Sequence, residues 1–133
     1  MEVGPGDDCA VVTTPGGRVV MTTDTLTLDQ DFRTVWPSGV RTSGTDLGHK
    51  CAAQNLADVT AMGGRCTSMV LTLVADARTP VAWVEELAAG VGERAREAGI
   101  VVTGGDLSSA PAGTRIVSIT ALGSLDRPPV LRS

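Results

Sequence analysis

Five aspartates stand next to glycines, hydroxyl residues or apolar segments, where chains gather groups for phosphate and metal chemistry. They are Asp7, Asp8, Asp24, Asp58 and Asp106. A hard divalent cation such as Mg²⁺ prefers oxygen ligands and commonly binds substrate phosphates as well. Turns and strand ends also carry a large share of binding residues. The pattern therefore indicates a magnesium and phosphate site, assembled when the fold brings these carboxylates together.

The composition argues against a nucleic-acid-binding protein and against a membrane protein. The chain has 133 residues, a formal net charge of −4 and dispersed basic residues, so we expect no nucleic-acid partner. Apolar residues make up 42% of the chain, enough for one folded domain. There is no signal peptide and no apolar run long enough to cross a membrane, which favours a soluble, cytoplasmic protein without a membrane partner. The cysteines are free thiols in this interpretation, because their spacing does not suit zinc.

An N-terminal hairpin should position two of the aspartates. Short apolar runs at 9–14 and 18–23 flank Pro15-Gly16-Gly17, which predicts two antiparallel strands joined by a turn. Asp8 comes just before the first strand and Asp24 just after the second. Since those ends are adjacent in a hairpin, we expect the two carboxylates to lie near each other.

A helix from about Asp46 to Met62 should carry a third carboxylate. Asn55 and Asp58 are three residues apart and share a helix face that is otherwise apolar. A charged group on an apolar helix face is costly unless it is paired or metal-bound. This edge of the helix is therefore predicted to look into a polar site.

The element order predicts an α+β fold. Further strands are expected at 68–74, 100–103 and 115–122. A second helix is expected to begin with Thr79 as its N-cap and Pro80 as its first helical residue. The order β-β-α-β-α-β-β suits a two-layer sandwich, in which a mixed sheet carries both helices on one face. The strands look apolar on both faces, so the other sheet face needs a cover. A second copy of the sheet, in a homodimer, is the expected cover.

An ordered series of motifs resembles the N-terminal domain of thiamine-monophosphate kinases, within the aminoimidazole-ribonucleotide-synthetase-like superfamily. Each motif alone is weak, but the set spans nearly the whole chain in order and spacing. The matching runs are Gly4-Pro-Gly-Asp-Asp-Cys-Ala, Thr22-Thr-Asp-Thr-Leu, Asn55-Leu-Ala-Asp-Val-Thr-Ala-Met-Gly, Gly104-Gly-Asp and Leu131-Arg-Ser.

The resemblance implies an ATP- and Mg²⁺-dependent phosphotransferase that converts ATP and thiamine monophosphate to ADP and thiamine diphosphate. It implies that the N-terminal domains pair through their sheets into a dimer. By position, the implied metal ligands are Asp8, Thr22, Thr23, Asp24, Asp58 and Asp106. The implied ATP contacts are Gly105, Asp106 and Arg132. No catalytic acid or base is assigned.

Two departures from the family pattern shape the expectation. The family has a histidine seven residues after the Thr-Thr-Asp aspartate, in a segment that contacts substrate, and Asp31 stands there in this chain. An anion beside a substrate phosphate is unfavourable, so Asp31 leaves the phosphoryl acceptor open. Residues 1–133 match the ATP- and metal-binding N-terminal domain, and the family's C-terminal domain is absent from this sequence. We therefore expect this chain alone to be inactive.

Two other functions fit parts of the pattern. One is a different ATP-dependent enzyme of the superfamily, of the selenophosphate synthetase or ribonucleotide cyclo-ligase type. Ala61-Met62-Gly63-Gly64 is compatible with the selenophosphate synthetase type. The other is a non-catalytic nucleotide-binding or dimerisation module, which Asp31 and the short chain favour. On simpler interpretations, Asp7-Asp8 forms a solvated turn, Asp24 ends a strand and Asp106 occupies a turn.

Overall fold

The computed structural model describes residues 1–131 and has the predicted element order. The elements are β1 (Ala10–Thr14), β2 (Gly17–Thr27), α1 (Gly44–Ala61), β3 (Arg65–Asp76), α2 (Val81–Glu97), β4 (Val101–Ala110) and β5 (Arg115–Leu125). No helix within this range is long and apolar enough to cross a membrane.

The strands form one mixed sheet in the order β1-β2-β5-β3-β4. The β1–β2, β2–β5 and β5–β3 pairs are antiparallel, whereas β3 and β4 are parallel and connected through α2. Register fixes the two faces, because side chains alternate along each strand. Val20 and Leu26 of β2 are buried, as are Val117 and Ile119 of β5, and these residues mark the helix-facing side. The predicted α+β sandwich with helices on one face is confirmed.

Close contact between the two helices depends on glycine. A Cβ built on Gly48 would lie 2.5 Å from the carbonyl oxygen of Leu87 and 2.8 Å from the amide nitrogen of Val91. Gly44 and Gly90 also approach the backbone of the opposite helix too closely for a side chain. The sequence therefore lets α1 and α2 pack backbone to backbone above the sheet.

The helix starts differ from the predicted ones. α1 begins at Gly44, two residues earlier than expected, because Ser43 and Asp46 form a reciprocal capping box. The prediction of Thr79 as the N-cap of α2 is wrong, since Pro80 occupies that position and makes no side-chain cap. The Thr79 hydroxyl instead donates to Asp76 and accepts from Arg115, so it ties the helix start to two strands.

The strands β2, β3, β4 and β5 are all longer than the apolar runs suggested. β2 continues to Thr27, because residues 18–27 pair with β5 without a break. β4 runs through Gly104, Gly105 and Asp106, which were expected to form a turn after the strand. The ladder between β3 and β4 shifts register at Met69/Val70, so Thr103 is an extra residue in β4 just before the glycine pair.

The sheet side away from the helices, called the open face, carries a row of hydroxyls that composition did not reveal. Thr23 and Thr25 of β2 hydrogen-bond with Ser118 and Thr120 of β5 across this face. Half-buried apolar residues flank the row, among them Met21. The open face is thus mixed in polarity, in contrast to the expectation of an apolar second face.

Candidate functional site

Asp8, Thr22 and Asp58 come together where α1 faces β2, a region called here the α1–β2 seam. The Thr22 hydroxyl lies 3.1 Å from the Asp8 carbonyl oxygen and 3.3 Å from Asp58 Oδ2, and donates toward both. Residues 8, 22 and 58 are half-buried, so the cluster is partly shielded from water. The predicted meeting of the N-terminal motif, the Thr-Thr-Asp motif and the helix motif is found at this seam.

The pKa of the Cys9 thiol is shifted by the carboxylates of the seam. Burial, followed by the negative charge of Asp58, raises the pKa of Cys9 to about 11, although a hydrogen bond with Thr22 opposes the shift. Asp8 and Asp7 add smaller contributions in the same direction. The carboxylates of Asp58, Asp8 and Asp7 therefore lie around the Cys9 thiol, where oxygen ligands for a cation are close together.

Asp24 lies within β2 rather than after it, and this corrects the predicted strand end. Alternation along the strand places residue 24 on the helix-facing side with Thr22, about 7 Å further along. Burial raises the pKa of Cys51 on α1 to about 12, and Asp24 adds to this shift. Asp24 therefore belongs to the same seam, one step from the Thr22–Asp58 contact. Asp8 and Asp24 thus lie at the same seam, and direct proximity of their carboxylates stays a prediction.

Thr23 and Asp106 are not brought into the seam. The Thr23 hydroxyl donates to the carbonyl oxygen of Ile119, at 3.1 Å, on the open face. Asp106 pairs with Thr72 of β3 in the register and accepts a 2.7 Å hydrogen bond from Ser108. Since Thr72 pairs in turn with Ser118, Asp106 lies on the open face. Their metal-binding roles stay predictions.

Gly105 has a structural reason for its identity. A Cβ at this position would collide with the carbonyl oxygen of Leu71 in β3, so only glycine permits the close strand approach. This packing neither supports nor excludes the predicted ATP contact. Arg132, the other predicted ATP contact, lies outside the described residues.

Asp31 forms part of the turn that follows β2. Its Oδ2 accepts a 2.8 Å hydrogen bond from the Thr27 amide, and its carbonyl oxygen accepts from Lys50 Nζ at 2.9 Å. The neighbouring Asp29 has a positive φ of 64°, which a tight turn requires. An aspartate at position 31 is therefore explained locally, and a substrate contact there remains a prediction.

The seam suits Mg²⁺ in donor chemistry. Within residues 1–131, no three His, Cys, Asp or Glu side chains form a group that could hold a metal by themselves. Mg²⁺ does not need such a cage, since one or two carboxylates plus substrate phosphates and waters commonly hold it. Asp8, Asp58 and Thr22 offer oxygen donors of that kind, and Asp24 adds another along the same side.

Sequence reasoning flagged Asn55 only as part of a polar helix edge. In the structure it is fully buried, which a polarity pattern does not reveal. Reasoning from motifs also missed the open-face hydroxyl row. The alternation of Thr23 with Thr25, and of Ser118 with Thr120, is the signal that predicts it once strand pairing is known.

A cavity of about 440 Å³ lies away from the seam, at the starts of both helices. Arg41, Ser43, Trp83 and Arg115 are among its lining residues. The Arg115 guanidinium stacks on the Trp83 ring at 4.8 Å, and its Nε donates to Thr79. These contacts give Arg115 a packing role, and the cavity does not share residues with the seam.

Comparison with known proteins places this geometry in a family. Residues 6–125 match the family model described as AIR synthase related protein, N-terminal domain. The thiamine-monophosphate kinase of Mycobacterium tuberculosis (strain CDC 1551 / Oshkosh) is 45% identical over 132 residues, which cover 98% of this chain and 38% of the relative. The enzyme of the same name from Corynebacterium glutamicum is 35% identical over 122 residues, covering 90% of this chain and 35% of the relative.

A solved structure described as AaThiL complexed with AMPPCP and TMP has a TM-score of 0.84 and 25% identity to this chain, covering 96% of it. The match covers 38% of that solved chain. This chain thus spans little more than a third of the proteins that it matches. The family match and the shared fold agree with the motif series, and the chain belongs to the family of AIR synthase related proteins, matching its N-terminal domain and resembling that of thiamine-monophosphate kinases.

Proposed function

We propose that residues 1–133 form the ATP- and magnesium-binding N-terminal domain of a thiamine-monophosphate-kinase-like phosphotransferase. The reaction would move the γ-phosphate of ATP to the phosphate of thiamine monophosphate. The main support for this proposal is the Asp8–Thr22–Asp58 cluster, which unites three family motifs at one partly shielded seam. The 45% identity to a thiamine-monophosphate kinase supports the choice of reaction.

In this proposal Asp8 and Asp58 hold Mg²⁺, with Thr22 and Asp24 beside them. The Thr22 hydroxyl restrains the Asp58 carboxylate through their 3.3 Å contact, which reduces the reorganisation needed on binding. Bound Mg²⁺ would offset the negative charge of the phosphates during transfer. Such a cation would also screen the phosphates of ATP from the carboxylates of this acidic chain, whose net charge is −4.

Phosphoryl transfer to an ionised phosphate needs positioning and charge stabilisation more than a base. That requirement agrees with a site built from carboxylates and hydroxyls, and no catalytic acid or base is proposed. Thr23, Gly105, Asp106 and Arg132 remain proposed metal or nucleotide contacts on the strength of motif position. Asp31 remains a proposed substrate neighbour, although its carboxylate is engaged by the Thr27 amide.

We expect the 133-residue chain to bind nucleotide without turning over substrate. It covers 38% of the Mycobacterium tuberculosis relative, and the rest of that relative's length is expected to complete the active site. The direct test is calorimetric titration of the chain with AMPPCP, in Mg²⁺ and then in EDTA. Saturable heat in Mg²⁺ that disappears in EDTA is the expected result; equal binding in both buffers would contradict the metal part of the proposal.

We also propose that the chain forms a homodimer through the open face, where half-buried apolar residues flank the hydroxyl row. Sedimentation equilibrium should give twice the mass of one chain at micromolar concentration. Met21→Lys places a charge on this face and should give a monomer, whereas Thr60→Lys, on the exposed side of α1, should leave the dimer intact. A wild-type monomer would refute the pairing.

A further inference from the structure

Asn55 of α1 has a buried oxygen that no described residue satisfies. The residue is 0% exposed. Its Nδ2 donates a 3.0 Å hydrogen bond to the Cys51 carbonyl oxygen one turn earlier. Its Oδ1 is fully buried and accepts no hydrogen bond from residues 1–131. An unsatisfied buried acceptor destabilises the folded state and is rare in native proteins, so this oxygen calls for an explanation.

The position of Asn55 ties that oxygen to the α1–β2 seam. Residues 51, 55 and 58 follow each other at helical spacing and share one side of α1. At one end of this row Asp58 contacts Thr22. At the other end the negative charge of Asp24 adds to the raised pKa of Cys51. Asn55 thus lies on α1 between the position that meets Thr22 and the position that is close to Asp24. With Nδ2 turned to the helix backbone, Oδ1 is the corner of the amide directed away from it.

Two other buried side-chain atoms lack a partner in the described part of the chain, Gln54 Oε1 and Trp83 Nε1. Gln54 is only half-buried, so its side chain can turn toward water at small cost. Trp83 belongs to α2 and lines the cavity at the helix starts. Asn55 alone combines complete burial with a place between seam residues.

We propose that Asn55 is a positioning residue for the cation, with Oδ1 accepting a hydrogen bond from a water in its hydration shell. This inference rests on the proposed function and deepens it. Mg²⁺ keeps several waters when protein-bound, and partners of those waters tune its affinity. A neutral amide adds an acceptor without adding charge to a seam that already holds Asp24 and Asp58. Binding satisfies the orphaned oxygen and so stabilises the folded protein.

The test replaces Asn55 by leucine, which has the same branching and number of side-chain heavy atoms. Asn55→Leu should keep or raise the thermal midpoint in EDTA, because it removes an unsatisfied buried group. It should weaken binding of AMPPCP in Mg²⁺ by about 10–100-fold. The matched control is Thr60→Ala, which deletes a hydroxyl bonded to the carbonyl four residues earlier on the exposed side of α1 and should bind as wild type does.

Asn55→Asp provides a second readout that does not need nucleotide. It keeps the side-chain shape but adds a charge beside the other carboxylates. Its midpoint should fall in EDTA, and Mg²⁺ alone should raise it by more than it raises the wild-type midpoint. Wild-type affinity in Asn55→Leu, or equal Mg²⁺ effects on Asn55→Asp and wild type, would overturn the inference. Absence of Mg²⁺-dependent binding in the wild type itself would instead reject the proposed function.

Discussion

Asp58→Asn should weaken binding of AMPPCP in Mg²⁺ by about 100-fold, equivalent to about 2.7 kcal/mol. The substitution keeps the size of the side chain and its ability to accept from Thr22, but removes the charge that would hold the cation. Calorimetry in Mg²⁺ measures the affinity, and a thermal melt in EDTA checks that the variant is folded.

Asp126→Asn is the matched control for this prediction. It makes the same change of charge at an exposed residue beyond β5, away from the seam. Its affinity for AMPPCP in Mg²⁺ should equal that of wild type. If both variants lose affinity equally, the effect comes from net charge rather than from a ligand, and the metal role of Asp58 fails.

Gly48→Ala should lower the free energy of unfolding by about 3 kcal/mol, because the added methyl overpacks the helix interface. The new Cβ would stand 2.5 Å from the Leu87 carbonyl oxygen and 2.8 Å from the Val91 amide nitrogen. Both are backbone atoms of α2, so the helices must move apart. For a domain of this size the midpoint should fall by about 10 °C. Thermal and urea unfolding monitored by circular dichroism measure the change.

Gly92→Ala is the comparison within α2, where a Cβ would meet no atom within 4 Å. Alanine favours helix over glycine, so this variant should gain about 0.5–1 kcal/mol. Opposite signs for the two substitutions are the expected outcome. A stabilised Gly48→Ala protein would mean that α1 and α2 do not pack as closely as described.

The sequence predicted the fold class well, because apolar periodicity and turn residues mark most of the elements. Its errors follow from local patterns that tertiary pairing overrides. β2 looked finished at Thr23, but its threonines extend the ladder with β5 to Thr27. Gly104-Gly105 looked like a turn, yet glycine there allows β4 to approach β3 at a register shift.

The site was predictable in part. The family resemblance, not helix spacing alone, implied that Asp8, Thr22 and Asp58 share a site, and Thr22 indeed hydrogen-bonds to the Asp8 carbonyl oxygen and to Asp58. Their role as metal ligands stays a prediction. The face on which Thr23 lies could not be known without the strand register, since neighbouring residues in a strand point to opposite sides. The complete burial of Asn55 depends on how α1 lies over the sheet, which composition does not specify.

The most direct test of the account is paramagnetic broadening by Mn²⁺, used in place of Mg²⁺, in a backbone ¹H–¹⁵N spectrum of the chain with AMPPCP. If Asp8 and Asp58 hold the metal, the amides of Asp8, Thr22 and Asp58 should broaden first, and excess Mg²⁺ should restore them. The amide of Asp126, an exposed residue beyond β5, should broaden later. Broadening centred elsewhere, or none at the seam, would contradict the claim that Asp8 and Asp58 hold the metal.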